Sequence, residues 1–347
     1  MSANTTGTAA LGDVLQRHAA PLVADRDTVG VILGGIRGEE SSLACLGHTA
    51  RRAGEPMGPD VAHEVGSLSK TFTGLLLADM VTRGEVDYDD PVIAHLPGHA
   101  APSGEAGRRI TLLDLATHTA GLPRTPNRVY LTMLRTGWRD PYAHYTVGQL
   151  YRTTARLRPG TAGRFRYSSL GYGLLGQALA NATGTPYPRL LTERVLNPLG
   201  LSGAAAELTP DIVARSATGH RRGRPTPPWR FDALAGAGSV RATGNDMLRY
   251  LDAHLRPEST AMAAALRDTH VPQRPGRGGM VCLAWFRREI GGIPLFWHEG
   301  GTAGFTTFVG FAPDAGVGVV ALANSMSTRR QAVIRAARRA FKDLLPA

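Results

Sequence analysis

The chain has 347 residues, enough for one large domain or two intimate ones, and its 43% hydrophobic content with mixed charge is that of a soluble globular protein. Its 39 basic and 28 acidic residues leave a net charge of +11, but the arginines are scattered from Arg17 to Arg339 and form no basic block, which argues against a nucleic-acid partner. No charged region followed by an apolar core opens the N-terminus, no run approaches the roughly 18 apolar residues of a membrane span, and Cys45 and Cys282 stand alone without metal-ligand spacing; a cytoplasmic location and no membrane partner are expected.

Residues 9–24 are predicted helical, with Leu11, Val14, Leu15, Ala19, Leu22 and Val23 at helical spacing. "GVILGGI" and "SSLACLGH", joined by "RGEE", read as a hairpin. After "GSLSK" an apolar helix, "TFTGLLLADMVTRGEV", stops near Gly84. Residues 85–230 are rich in short helices and turns, among them "ITLLDLATHTAGLP" and "LGYGLLGQALANATG". "GNDMLRYLDAHL" is a helix with Asn245 or Asp246 near its start. "GGMVCLAWFRREI", "IPLFWHEGG", "GFTTFVGFAP" and "GVGVVALANS" then read as successive strands. The last helix places Val333, Ile334, Ala337, Phe341, Leu344 and Leu345 on one face and arginines on the other. Strands at both ends with helices between them predict an α+β fold. Its antiparallel sheet would be built from residues 1–80 and 235–347, with a mostly helical domain over 81–234 and a cleft between the two.

The chain uses arginine almost everywhere, and Lys70 and Lys342 are its only lysines. Lys70 follows Ser67 by three residues. If Ser67 opens a helix, Lys70 lies one turn on, on the same face. The helix start also offers backbone N–H groups to an oxyanion. A serine hydroxyl needs a base within hydrogen-bond reach. A desolvated lysine can lose its proton, whereas a guanidinium effectively cannot. Position 70 must titrate, which explains a lysine retained there. S-x-x-K alone is a weak pattern, equally compatible with a surface lysine at a helix start. Two further segments strengthen it: "RFRYSSLGYGLLG", with Tyr167 before an apolar helix and Ser168 and Ser169 as caps, and "WHEGGTAGF", with His298 at a strand end before a glycine pair.

In order and spacing these segments resemble the serine β-lactamase, penicillin-binding and esterase superfamily in its class C-like branch, from about residue 10 to 345. The pattern there is S-x-x-K, Y-x-N, then K-T-G or H-x-G. Here it reads Ser67-Leu68-Ser69-Lys70, Tyr167-Ser168-Ser169 and His298-Glu299-Gly300. The resemblance implies a β-lactamase/transpeptidase-like fold with Ser67 as the acylated nucleophile. Lys70 and Tyr167 become the proton-handling pair, with either as the acylation base. The backbone N–H groups of Ser67 and Gly301 form the oxyanion hole, and Ser169, His298, Gly300 and Thr302 line the substrate. Ser169 stands where the pattern has Asn and offers no amide donor–acceptor pair. His298 is a weaker carboxylate anchor than lysine. Both departures imply little β-lactamase activity and leave an esterase, amidase, D-amino-acid peptidase or acyltransferase. A non-catalytic binding module is the remaining class, and the intact Ser67, Lys70 and Tyr167 set speaks against it.

No H-E-x-x-H or other metal pattern occurs, and no cofactor is expected. "DYDDP", with Asp87, Asp89 and Asp90, reads as a turn, and Gly316–Ala321 as sheet. Arg164 and Arg166, flanking Tyr167, are equally an acidic-substrate site or ordinary surface. The implied partner is a small-molecule or short-peptide acyl substrate, with oligomeric state left open.

Overall fold

The computed structural model describes residues 9–24, 28–102, 104–136, 139–276, 278–326 and 331–346. Strands β1 (Gly30–Arg37), β2 (Glu40–Gly47), β3 (Arg274–Gly276), β4 (Gly279–Val281), β5 (Phe286–Ile290), β6 (Ile293–Gly301), β7 (Thr306–Ala312) and β8 (Val317–Ala323) form one antiparallel sheet in the order β2-β1-β8-β7-β6-β5-β4-β3. Helices of ten residues or more, among the described residues, are α1 (Leu11–Ala24), α2 (Ser69–Thr82), α3 (Asn127–Thr136), α4 (Ser169–Thr183), α5 (Gly244–Leu255) and α6 (Ala332–Leu344). None is long and apolar enough to cross a membrane.

The hairpin reading becomes β1 and β2, with Arg37 opposite Glu40. β1 then pairs with β8, Val31 opposite Ala323 and Arg37 opposite Val317, so strands from the two ends of the chain meet inside one sheet. Alternation along each strand sorts side chains onto two faces. Val31, Leu33, Val319 and Ala321 join α1 and α6 in an apolar layer. Ile32, Ile36, Val320 and Leu322 point into the main core, which α2, α4 and α5 share. The buried stripe of α6 is Val333, Ile334, Ala336, Ala337, Ala340, Phe341 and Leu344, while Leu345 is only partly covered beyond the helix end and Arg335, Arg338 and Arg339 are exposed. The start of the segment read as this helix, residues 328–330, lies outside the described residues, as do residues 1–8 of the N-terminal reading.

Two local expectations change. "GGMVCLAWFRREI" is not one strand: residues 282–285 break it, with Ala284 at φ 70° and Cys282 N donating to Trp285 O at 2.8 Å. The break brings the Leu283 backbone against Gly74 of α2, where a Cβ would lie 2.9 Å from Leu283 O. Helix α5 is capped by Thr243 rather than Asn245 or Asp246. Thr243 Oγ1 accepts from Asp246 N at 3.1 Å, and Asp246 Oδ2 accepts from Thr243 N at 2.9 Å, a reciprocal box. In "DYDDP", Asp90 Oδ2 accepts from Asp87 N and Asp87 Oδ1 from Asp89 N, both at 2.9 Å.

Candidate active site

Ser67 lies in a single 3₁₀ turn, Gly66–Leu68, that leads into α2 at Ser69, rather than in the α-helix itself. Gly66 adopts φ +55°, and a Cβ there would come 2.7 Å from Gly301 N. A Cβ on Gly300 would fall 2.0 Å from Val65 O. The end of β6 therefore touches the Ser67 turn backbone to backbone, which only glycines permit. Thr307 Oγ1 donates to Val65 O at 2.8 Å and locks the contact from β7. Ser67 and Gly301 consequently line the same small pocket.

Lys70 is fully buried one turn into α2. Its Nζ stands 3.1 Å from Ser67 Oγ and donates to Ala237 O at 2.8 Å. Burial first, and the Arg124 charge second, hold its pKa well below that of an ordinary lysine. The Tyr167 ring centroid is 5.1 Å from Nζ. Burial pushes the Tyr167 phenol up to about 12, against a hydrogen bond with Ser67 and the Arg124 charge, which both pull it down. The result is an amine that holds its proton less tightly than an ordinary lysine, beside a phenol that keeps its own.

The remaining expected residues are placed unequally. Ser169 is half-buried at the pocket wall as the first residue of α4, while the cap is Ser168, whose Oγ accepts from Gly171 N at 2.9 Å and donates to Pro123 O at 2.7 Å. His298, expected as a weak carboxylate anchor, is 1% exposed and stacks on Phe286. Apart from an approach to the Glu299 backbone, neither ring nitrogen meets a hydrogen-bond partner, and burial, with the Lys70 charge, lowers its pKa to about 3. It is neutral and faces the core, because β6 alternation turns the neighbouring Glu299 to the opposite face, towards Arg338 at 3.6 Å. Thr302 is buried as well, its Oγ1 accepting from Gly304 N at 3.3 Å. Arg164 and Arg166 line depressions that exclude Ser67.

Two residues went unnoticed in the sequence, both in or beside "THTAGLPR". His118, at φ +63°, is buried against Tyr167, with ring centroids 4.4 Å apart. Its Nδ1 accepts from Ser168 N at 3.1 Å, and burial holds it neutral. Arg124 is exposed and sets its guanidinium 5.2 Å over the Tyr167 ring. Their only signal was proximity to a stretch matching the family pattern; the fold brings them to Tyr167.

The pocket at Ser67 is about 220 Å³, walled by Tyr130, Met133, Tyr142, Trp229, Phe231 and Leu234, with Arg124 at its rim. A larger depression of about 1190 Å³ runs past Tyr151, Asn181 and Tyr187 and holds neither Ser67 nor Lys70. Chemistry, not size, selects the smaller one.

Known proteins are similar to this chain along most of its length. The family model described as Beta-lactamase matches residues 15–343. The D-alanyl-D-alanine-carboxypeptidase/endopeptidase AmpH of Escherichia coli (strain K12) is 29% identical over 91% of this chain and 85% of its own length. A Beta-lactamase of the same strain is 26% identical over 90% and 89%. Penicillin-binding protein 4 of Amycolatopsis lactamdurans is 28% identical over 79% and 75%.

Proposed function

The chain belongs to the Beta-lactamase family, and from that premise we propose that it is a serine hydrolase acting through an acyl-enzyme on Ser67, with small esters or amides, including D-amino-acid amides, as substrates. The observation that carries this reading is a fully buried lysine with a depressed pKa, 3.1 Å from the serine hydroxyl. Burial weakens the hold of Lys70 on the proton that would otherwise prevent it from acting as a base.

In acylation, Ser67 Oγ forms a bond to the substrate carbonyl carbon and its proton passes to Lys70 Nζ. The developing oxyanion accepts from the backbone N–H groups of Ser67 and Gly301. Tyr167, still protonated because its pKa is about 12, gives its proton to the leaving group as the carbon–leaving-group bond breaks. Lys70 restores that proton to the phenol. Water then attacks the ester, losing its proton to the same pair, and Ser67 is released. Lys70 is thus the acylation base and Tyr167 the relay. His118, stacked on the phenol and held by Ser168 N, positions the relay.

Weak β-lactam turnover follows from a short Ser169 and a buried, neutral His298, which supply neither an amide anchor nor a cation. Cys45 and Cys282 are free thiols, which supports a reducing, cytoplasmic setting. Intact-mass measurement after exposure to a fluorophosphonate, an activated ester, a D-amino-acid amide and a penicillin tests the reading. A covalent adduct is expected on the wild type and none on Ser67→Ala. An unaltered adduct on Ser67→Ala would place the nucleophile elsewhere. Amide products formed when an amine is added would turn the assignment towards acyl transfer.

A further inference from the structure

We propose that Arg124 selects the acyl group, so that the pocket beside Ser67 takes small acyl moieties with a carboxylate beyond a short apolar stem. This rests on the acyl-enzyme reading above.

Arg124 is exposed and takes part in none of the ion pairs among the described residues. It is the one charged side chain among those lining the Ser67 pocket. The rest of that wall is mainly aromatic or aliphatic, its polar side chains being the neutral hydroxyls of Ser67, Thr125, Ser169, Tyr130 and Tyr142, so it gives an anion no second cation and Arg124 no internal counter-ion. Its place is fixed at both ends: the guanidinium rests over the Tyr167 ring, and its carbonyl accepts from Ser169 N at 2.8 Å and Leu170 N at 3.4 Å, at the start of α4. A planar fork held in this way suits a carboxylate.

No other cation is available for that task. Lys70 is enclosed and committed to Ser67 and Ala237 O, His298 is buried and neutral, and Arg241 is buried against Glu64 at 3.3 Å. The carboxylate lies on the acyl side of the reacting bond. The pocket that Arg124 enters from over the Tyr167 ring is lined by Ser67 and Gly301, so a group anchored inside it extends from the carbonyl that those two N–H groups hold. At about 220 Å³ it falls below the roughly 300–1,000 Å³ of pockets for drug-sized ligands, so the acyl group is short.

The test uses two 4-nitrophenyl esters of glutaric acid, one with the distal carboxylate free and one with it masked as a methyl ester. The readout is the ratio of their kcat/KM values at one pH, because Arg124 also bears on Lys70 and its substitution alters both rates together. The wild type is expected to favour the free acid on the order of tenfold, the size of one charge-assisted contact at a partly solvated site, and less as salt is raised. Arg124→Gln should bring the ratio near one, Arg124→Lys should keep part of it, and Arg124→Glu should invert it. A wild-type ratio at or below one, or a preference that survives in Arg124→Gln, overturns the proposal while Ser67 acylation stands. No acylation of Ser67 by either ester overturns both readings.

Discussion

The two faces of the central sheet are built from different chemistry. Towards α1 and α6 the layer is aliphatic and aromatic, and no buried polar side chain comes from either helix among the described residues. Towards α2, α4 and α5 the same sheet covers Lys70, His63, His118, His254 and His298, all 0–2% exposed, with His270 packed alongside. Several of their ring nitrogens have no partner: His63 Nε2, His118 Nε2, His254 Nε2 and both of His298. Unsatisfied buried polar atoms cost free energy, so one face stabilises the fold while the other gives up stability to hold a desolvated amine beside a serine.

The largest effect expected from this contrast is at Lys70. If burial serves to make a base, Lys70→Arg should lower the acylation rate about as much as Lys70→Ala, by roughly 10²–10⁴-fold. The rise of that rate with pH through the depressed Lys70 pKa should vanish in both. Stopped-flow acylation across pH checks it, and an unchanged profile in Lys70→Arg would falsify the lysine base and favour Tyr167. On the opposite face, Leu15→Ala should cost about 2–5 kcal/mol of stability and leave kcat/KM unaltered, read by urea unfolding beside turnover. A matching loss of turnover would mean the faces are not separable.

Acid should sharpen the contrast next. His63 and His270 are lowered to about 4 and His298 to about 3, from an ordinary 6.5, in each case by burial first. Between those values the unfolded chain binds protons that the folded chain refuses, so stability is complete above pH 6.5 and is lost as pH falls towards 4. Thermal midpoints at pH 7, 6 and 5 should descend, and a flat series would contradict neutral histidines in this core. The smallest effect belongs to His298→Leu. Replacing an unpartnered ring by an apolar side chain should change stability by less than about 1 kcal/mol and leave the preference between charged and neutral esters intact. Loss of that preference would restore His298 as an anchor.

What could be read beforehand was local or periodic. The alternation of β1 and β8, the buried stripe of α6, and Ser67 and Lys70 one turn apart all follow from spacing along the chain. The break at 282–285 could not be foreseen, because it answers to Gly74, some two hundred positions earlier in the chain. The orientation of His298 needed the strand phase of β6, which sequence leaves free by one residue; a slip of one would have exchanged it with Glu299. Arg124 and His118 acquire meaning only through the Tyr167 ring that tertiary packing sets against them.

The pairing of β1 with β8 also has a consequence in time. On the ribosome, β1 and β2 emerge early, and β1 must wait for a partner strand about 280 residues downstream. At ordinary elongation speeds of about 5–20 residues per second, that delay is roughly a quarter of a minute to a minute. Until β6 arrives, Ser67 has no Gly301 beside it, so the pocket that the two residues line is completed only when the last strands are made.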